Sequence, residues 1–97
     1  MITNKQRANL KGLANKLDAV MQIGKEGISE NSLLQLNGLF DSRELFKIKV
    51  LPNCDFSAKE IAQQIAAKTD AEVVQVIGNK VVLYKLSTNE KTKHIEF

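Results

Sequence analysis

Residues that build disulfides, metal centres and aromatic surfaces are scarce in this chain. Its 97 residues include one cysteine, one histidine, one proline, one tyrosine, four phenylalanines and no tryptophan. The lone Cys54 can form no disulfide within the chain, and it cannot complete a metal site with the lone His94. We therefore expect no metal ion and a protein of a reducing compartment.

Long apolar runs and catalytic groupings are also missing. No apolar run approaches the roughly 20 residues that a membrane helix needs, and the N-terminal segment lacks the hydrophobic core of a signal peptide. Cys54 has no histidine near it in the sequence to activate its thiol, and no two carboxylates show the spacing of an acid–base pair. We expect a cytoplasmic protein with no membrane, cofactor or small-molecule substrate, and an enzyme is the least favoured functional hypothesis.

The composition fits one folded domain with a mildly basic surface. Apolar residues make up 43% of the chain, and 14 basic residues against 11 acidic ones give a net charge of +3. This balance permits RNA, DNA or another anionic surface as a partner, but it also fits a basic protein that binds no nucleic acid. We predict a monomeric domain over 1–86 and a polar tail over 87–97.

Hydrophobic periodicity and capping signals predict three helices and four strands. The helices are expected over 4–16, 30–42 and 58–68. The strands are expected over 19–23, 45–51, 71–77 and 80–85, the last two joined by a Gly78-Asn79 turn. The order α-β-α-β-α-β-β predicts an α/β chain of the two-layer α+β type, with three helices packed against a mixed four-stranded sheet. Gly38 weakens the second helix, and a close helix contact would explain its presence.

The most informative segment is the loop Gly24-Lys25-Glu26-Gly27, between the first strand and the second helix. Two glycines let the main chain turn and approach a ligand, and the following helix directs free N–H groups and its positive dipole end toward the loop. With the charge of Lys25, the loop predicts a cradle of exposed amides for a phosphate. A plain strand-to-helix turn would look the same. The loop is not a P-loop, because Glu26 follows the Gly-Lys pair where that motif needs Ser or Thr.

Basic side chains recur on two predicted elements. Arg7 and Lys11 share one face of the first helix, and Lys5 lies on another flank of it. Lys47 and Lys49 alternate on one face of the second strand, whose apolar neighbours indicate that another element covers part of that face. Each group either is a solvated face or extends a binding surface from the loop.

The few aromatic side chains do not indicate a base-stacking surface. Proteins that bind single strands stack bases on exposed aromatic rings. Phe40, Phe46 and Tyr84 fall at core positions of their predicted elements. The shortage argues against sequence-specific base readout and favours recognition of the backbone and shape of a structured RNA.

Four strings stand in a distinctive order along the chain. They are KQR with LKGLA within 5–14, IGKEGI at 23–28, ELFKIKV at 44–50 and VIGNKVVLYK at 76–85. Together they resemble the YhbY family, the single-domain bacterial form of the CRM (chloroplast RNA splicing and ribosome maturation) domain. The resemblance covers nearly all of the predicted domain.

The resemblance implies an RNA-binding protein whose fold is similar to the C-terminal domain of translation initiation factor three. Bacterial members of the family are associated with precursors of the large ribosomal subunit. The family's G-x-x-G loop is likened to the backbone clamp of KH domains and corresponds to 24–27 here. Its basic first helix corresponds to Lys5, Arg7 and Lys11.

Two departures from the family pattern concern the predicted site. Glu26 places a negative charge within the loop, and Lys85 stands where members commonly carry arginine, which keeps the charge but loses the bidentate fork. The predicted RNA-binding residues are Gly24, Lys25, Glu26, Gly27, Lys5, Arg7, Lys11, Lys47, Lys49, Lys80 and Lys85.

Two functional hypotheses stand ahead of the enzyme. The first is a non-catalytic RNA-binding protein that acts on ribosomal RNA or precursor large-subunit particles through the glycine loop and the basic first helix. The alternative is a protein-interaction module that docks on a ribosomal protein or translation factor, which the small net charge and Glu26 favour.

Overall fold

A computed structural model describes residues 2–86, and the predicted tail over 87–97 lies outside the described residues. The helices are α1 (Asn4–Ala14), α2 (Glu30–Ser42) and α3 (Ala58–Thr69). The strands are β1 (Ala19–Ile23), β2 (Leu45–Val50), β3 (Glu72–Ile77) and β4 (Lys80–Tyr84). The predicted elements are confirmed in order and type, although α1 ends earlier than its sequence periodicity indicated.

The four strands form one mixed sheet in the order β1-β2-β4-β3. β1 runs parallel to β2, and the crossover connection that this pairing requires contains α2. β4 runs antiparallel to both β2 and β3. β1, β2 and β3 therefore all finish at the end of the sheet where β4 begins. We call this the loop end, because the 24–27 loop, the 51–57 loop and the 78–79 turn all lie there.

The helices lie on both faces of the sheet. α2 and α3 bury one face, where Phe46 and Ile48 of β2 pack with Leu36 and Ile61 of these helices. α1 lies on the other face, in a smaller cluster made of Leu10, Ala14, Leu45, Val74, Val82 and Tyr84. The α/β class with three helices and a mixed four-stranded sheet is confirmed, but the two-layer arrangement is wrong, because α1 forms a third layer. An apolar stripe shows that a helix is buried, not which sheet face it covers.

Local hydrogen bonds explain where the helices begin. The Thr3 hydroxyl accepts from the Gln6 amide at 3.1 Å, and the Ser57 hydroxyl accepts from the Glu60 amide at 3.2 Å, so both capping boxes are confirmed. The close contact expected at Gly38 is wrong, since nothing lies within 4 Å of the position that a Cβ would take there.

Candidate nucleic-acid interface

α1 covers only part of its sheet face. On β2 this face carries Leu45, buried beneath α1, and then Lys47 and Lys49, both half-buried. On β4 it carries Val82, also buried beneath α1, and then the exposed Lys80. Strand alternation thus brings three lysines to the uncovered part of the face, toward the loop end. We call Lys47, Lys49 and Lys80 the lysine face.

The strand register brings the lysines into direct proximity. Lys49 lies opposite Lys80 in the antiparallel pairing of β2 with β4, and Gln22 of β1 pairs with Lys49 from the other side. Side chains directly opposite each other in a sheet have Cβ atoms about 5 Å apart, and like charges there are destabilising. A bound anion would relieve that repulsion, so this position favours a negatively charged ligand.

The glycine loop stands at the same end of the sheet, as a closed turn. The Leu51 amide donates to the Ile23 carbonyl at 2.9 Å, which ties the start of the loop to the end of β2. The Gly27 amide donates to the Gly24 carbonyl at 3.0 Å, and Gly27 is buried with a φ of 67°. The expected cradle of exposed amides is therefore wrong for Gly27, because closing the turn uses its N–H.

Lys25 and Glu26 form the exposed tip of this turn. Within residues 2–86, their backbone amides have no hydrogen-bond acceptor. One of the backbone amides in the first turn of α2 already has an acceptor, because the Ser29 hydroxyl accepts from the Ser32 amide at 3.1 Å. An anion at this loop would therefore meet Lys25 and the tip amides rather than a fully open helix end.

The basic side chains of α1 differ in their exposure and in how many of their hydrogen-bond donors are already used within the protein. One guanidinium nitrogen of Arg7 donates to the Val73 carbonyl at 2.6 Å, and another lies 3.8 Å from the Glu72 carboxylate. Arg7 therefore ties α1 to β3, and part of its donor set is already used. Lys5 is exposed and Lys11 is half-buried.

Lys85 lies apart from the lysine face. It follows Tyr84 along the strand direction and so points toward the α2 side, where its ammonium nitrogen lies 5.9 Å from the centre of the Phe40 ring. Tyr84, Phe40 and Phe46 are buried, as predicted. Burial raises the pKa of the Tyr84 hydroxyl above its ordinary value of 10.0, and the nearby Glu44 carboxylate raises it further.

Sequence reasoning missed one residue beside the loop, Phe56. The residue is 37% exposed. Two atoms of its ring lie 3.0 and 3.1 Å from the position that a Cβ on Gly27 would occupy. A signal was present in the sequence: an aromatic residue in a polar loop, immediately before the helix cap Ser57 and outside the periodicity of either neighbouring element.

Between residues 2 and 86, no group of three His, Cys, Asp or Glu side chains could hold a metal ion, and no helix is long and apolar enough to cross a membrane. A depression away from the loop end is lined by Asp70 and Glu72 together with Tyr84 and Lys85. Glu72 pairs with Arg7, and Asp70 is the residue that caps the C-terminus of α3.

The part of the chain that forms the helices, strands and loop described above matches a known family of domains. The model of the CRS1/YhbY (CRM) domain family matches residues 2–85. The chain belongs to this family. The resemblance found in the sequence is thereby confirmed, and the CRM domain spans all seven helices and strands.

Two curated relatives and one solved structure show how far the likeness extends. A Bacillus subtilis protein named "Probable RNA-binding protein YqeI" is 36% identical over 91 residues, which is 94% of this chain and 95% of that protein. A Haemophilus influenzae protein named "RNA-binding protein" is also 36% identical, over 93% of this chain and 91% of that one.

The solved structure is that of SAV1595 from Staphylococcus aureus, described as a candidate RNA-binding protein. It superposes on this CRM domain with a TM-score of 0.79 at 42% identity, over 94% of this chain and 95% of that one. The likeness to the C-terminal domain of translation initiation factor three stays a prediction.

Proposed function

We propose that this CRM domain is a monomeric, cytoplasmic, non-catalytic RNA-binding protein whose ligand backbone lies across the lysine face and the tip of the glycine loop. The observation that carries the proposal is the Lys49–Lys80 pair, two cations held opposite each other on the part of the sheet face that α1 leaves uncovered. The names of its relatives support RNA as the class of ligand.

The proposed contacts are mainly electrostatic. Lys47 and Lys49 rise from a strand in the middle of the sheet, so their positions are fixed by the pairing on both sides. Lys25 and the tip amides would hold a phosphate at the loop end, while Lys5 and Lys11 would widen the basic surface along α1. Arg7 contributes less in this proposal, because its guanidinium already bonds Val73.

The proposed surface favours a structured RNA. Three of the four aromatic rings between residues 2 and 86 are buried, which leaves little for stacking successive bases. Recognition by charge and shape suits folded RNA, whose phosphates are ordered in space. The family resemblance adds the finer proposal that this RNA is ribosomal and belongs to precursors of the large subunit.

A salt titration with matched variants tests the proposal. We expect log K for a folded RNA to fall linearly with log salt, and each lost phosphate contact to reduce the slope by roughly 0.7–0.9. Lys25→Ala and the double variant Lys49→Ala with Lys80→Ala should weaken binding and flatten the slope. Lys68→Ala, which removes the same single charge as Lys25→Ala from an exposed position on α3, should change neither. Equal behaviour of all variants would reject the assigned surface.

Crosslinking in cells, followed by sequencing of the attached RNA, tests the ribosomal target. We expect enrichment of large-subunit ribosomal RNA that is lost in the Lys49→Ala/Lys80→Ala variant. Association with particles that survives both ribonuclease treatment and high salt would instead favour docking on a ribosomal protein or translation factor.

A further inference from the structure

We propose that Phe56 is a stacking platform for one unpaired nucleobase, adjacent to the phosphate held at the tip of the glycine loop. This inference deepens the proposed function and rests on it. It adds a preference to the ligand: an RNA with an unstacked base, such as a bulge or loop, rather than a continuous duplex.

The ring is held in place against the glycine loop. It lies over Gly27, so close that a Cβ there would stand 3.0 Å from it, and Ile61 of α3 lies 3.9 Å from the same position. Gly27 is buried, whereas Phe56 remains 37% exposed. One part of the ring is therefore supported by the protein, and another part is open to solvent.

The position of the ring suits the geometry of a nucleotide. Gly27 directly follows the tip residues Lys25 and Glu26, and consecutive Cα atoms lie about 3.8 Å apart. The Phe56 ring is therefore within about 10 Å of the tip amides. A nucleotide whose phosphate rests on the tip can extend its own base, or that of its neighbour, over the ring.

The charges near the ring favour a base over a second phosphate. Glu26 precedes Gly27, Asp55 precedes Phe56, and both carboxylate side chains are exposed. Two negative charges beside an apolar ring repel phosphate, but they do not oppose an uncharged base that stacks on a π-face. Glu26, which looks unfavourable in a phosphate loop, is compatible with a ligand that presents a base on this side.

The other aromatic side chains of the described region cannot serve this purpose. Phe40, Phe46 and Tyr84 are at most 6% exposed and lie in the two cores. Between residues 2 and 86, Phe56 is therefore the aromatic ring that a base can reach. Stacking of a base on an aromatic ring contributes about 1–3 kcal/mol by alanine substitution, which corresponds to roughly a fivefold to 140-fold change in affinity.

The test compares Phe56 variants on two RNA probes that differ by one nucleotide. One probe is a two-stranded duplex with a single bulged 2-aminopurine, and the other is the same duplex without the bulged nucleotide, so that every base is paired. Phe56→Leu keeps apolar cover over Gly27 but removes the π-face, Phe56→Tyr restores that face, and Leu34→Ala removes an exposed apolar side chain elsewhere, on α2.

We expect Phe56→Leu to weaken binding of the bulged probe by at least about fivefold with an unchanged salt slope. Binding of the paired probe should not change, and both Phe56→Tyr and Leu34→Ala should behave like the wild type. The emission of 2-aminopurine, which responds to stacking, should fall when the wild-type protein binds and should fall less with Phe56→Leu.

Three results would overturn the inference: equal affinity of Phe56→Leu and the wild type for the bulged probe, equal losses on both probes, or no change of emission with the wild type. The emission measurement with the wild type needs no variant, so an unchanged emission overturns the inference even if Phe56→Leu folds poorly. Failure of the proposed function would look different, since Lys25, Lys49 and Lys80 variants would then leave the salt slope unaltered.

Discussion

Lys49 of β2 and Lys80 of β4 lie directly opposite each other in the antiparallel pairing of these strands. Like charges directly opposite each other destabilise a sheet, whereas opposite charges at such positions stabilise it. The fold therefore accepts a small loss of stability where the proposed ligand is bound. This relationship links the stability of the protein to its function.

Removing one of these lysines should stabilise the free protein while weakening RNA binding. We expect Lys80→Thr to raise the free energy of unfolding in low salt by roughly 0.2–1 kcal/mol, because it removes the repulsion and adds a β-branched residue. Urea denaturation of Lys49→Thr, Lys80→Thr and the double variant gives their coupling energy. That coupling should shrink at high salt, and a coupling of zero at low salt would contradict the repulsion.

The two glycines of the loop should respond very differently to substitution. Gly27→Ala should destabilise the protein by about 1–3 kcal/mol, since a residue with a φ of 67° is strained by a Cβ that would also meet the Phe56 ring. Gly24→Ala is the matched control, because its Cβ would meet only Leu51, at 3.9 Å. Thermal or urea unfolding checks the pair, and equal stability losses would contradict the observed loop geometry.

Arg7 should contribute more to the stability of the protein than to RNA binding. Arg7→Ala should lower the free energy of unfolding by about 1–2 kcal/mol, because it leaves the Val73 carbonyl without its charged donor and removes the ion pair with Glu72. Lys5→Ala, on the same helix but exposed, should cost almost nothing. If both variants unfold at the same urea concentration, the tie between α1 and β3 has no energetic weight.

Gly38→Ala should stabilise the protein. Gly38 lies within α2 with open space where its Cβ would stand, and alanine is favoured over glycine in a helix by roughly 0.5–1 kcal/mol. We expect a higher urea midpoint with an unchanged dependence on urea concentration. A loss of stability would contradict the open space around Gly38.

Tyr84 should make the protein less stable in strong base. Its folded pKa is raised by burial and by Glu44, whereas the unfolded chain ionises near 10.0. The buried, protonated Tyr84 hydroxyl therefore contributes its full share of the free energy of unfolding below pH 10. That contribution is lost as the pH rises further, because the unfolded state releases the proton first. Tyr84→Phe should reduce the steepness of this loss, and identical profiles for the two proteins would contradict the raised pKa.

Local chemistry made most of the fold predictable. The capping boxes at Thr3 and Ser57 and the alternation of Lys47 and Lys49 with apolar residues act over a few residues, so sequence alone could place these elements. The face covered by α1 could not be predicted, because the stripe of Leu10 and Ala14 identifies a buried side without its partner. The bond from Arg7 to Val73 joins residues far apart in the chain and has no local signature.

The candidate site was less predictable than the fold. The amide of Gly27 turns inward to close the loop, a detail that the G-x-x-G spacing does not specify. The sequence could have predicted that Lys80 and Lys85 lie on different faces of the sheet, since residues five apart on a strand point to opposite faces. The predicted set of RNA-binding residues nonetheless included both. Phe56 was missed because a single aromatic residue in a loop follows no period.

An NMR titration of the labelled protein with a folded RNA tests the central claim most directly. We predict that the backbone amides of Lys25, Glu26, Lys49 and Lys80 shift progressively with added RNA, while those of Gln63 and Lys68 on the exposed side of α3 do not. Shifts confined to α2 and α3, with the lysine face and the loop tip unchanged, would contradict the account.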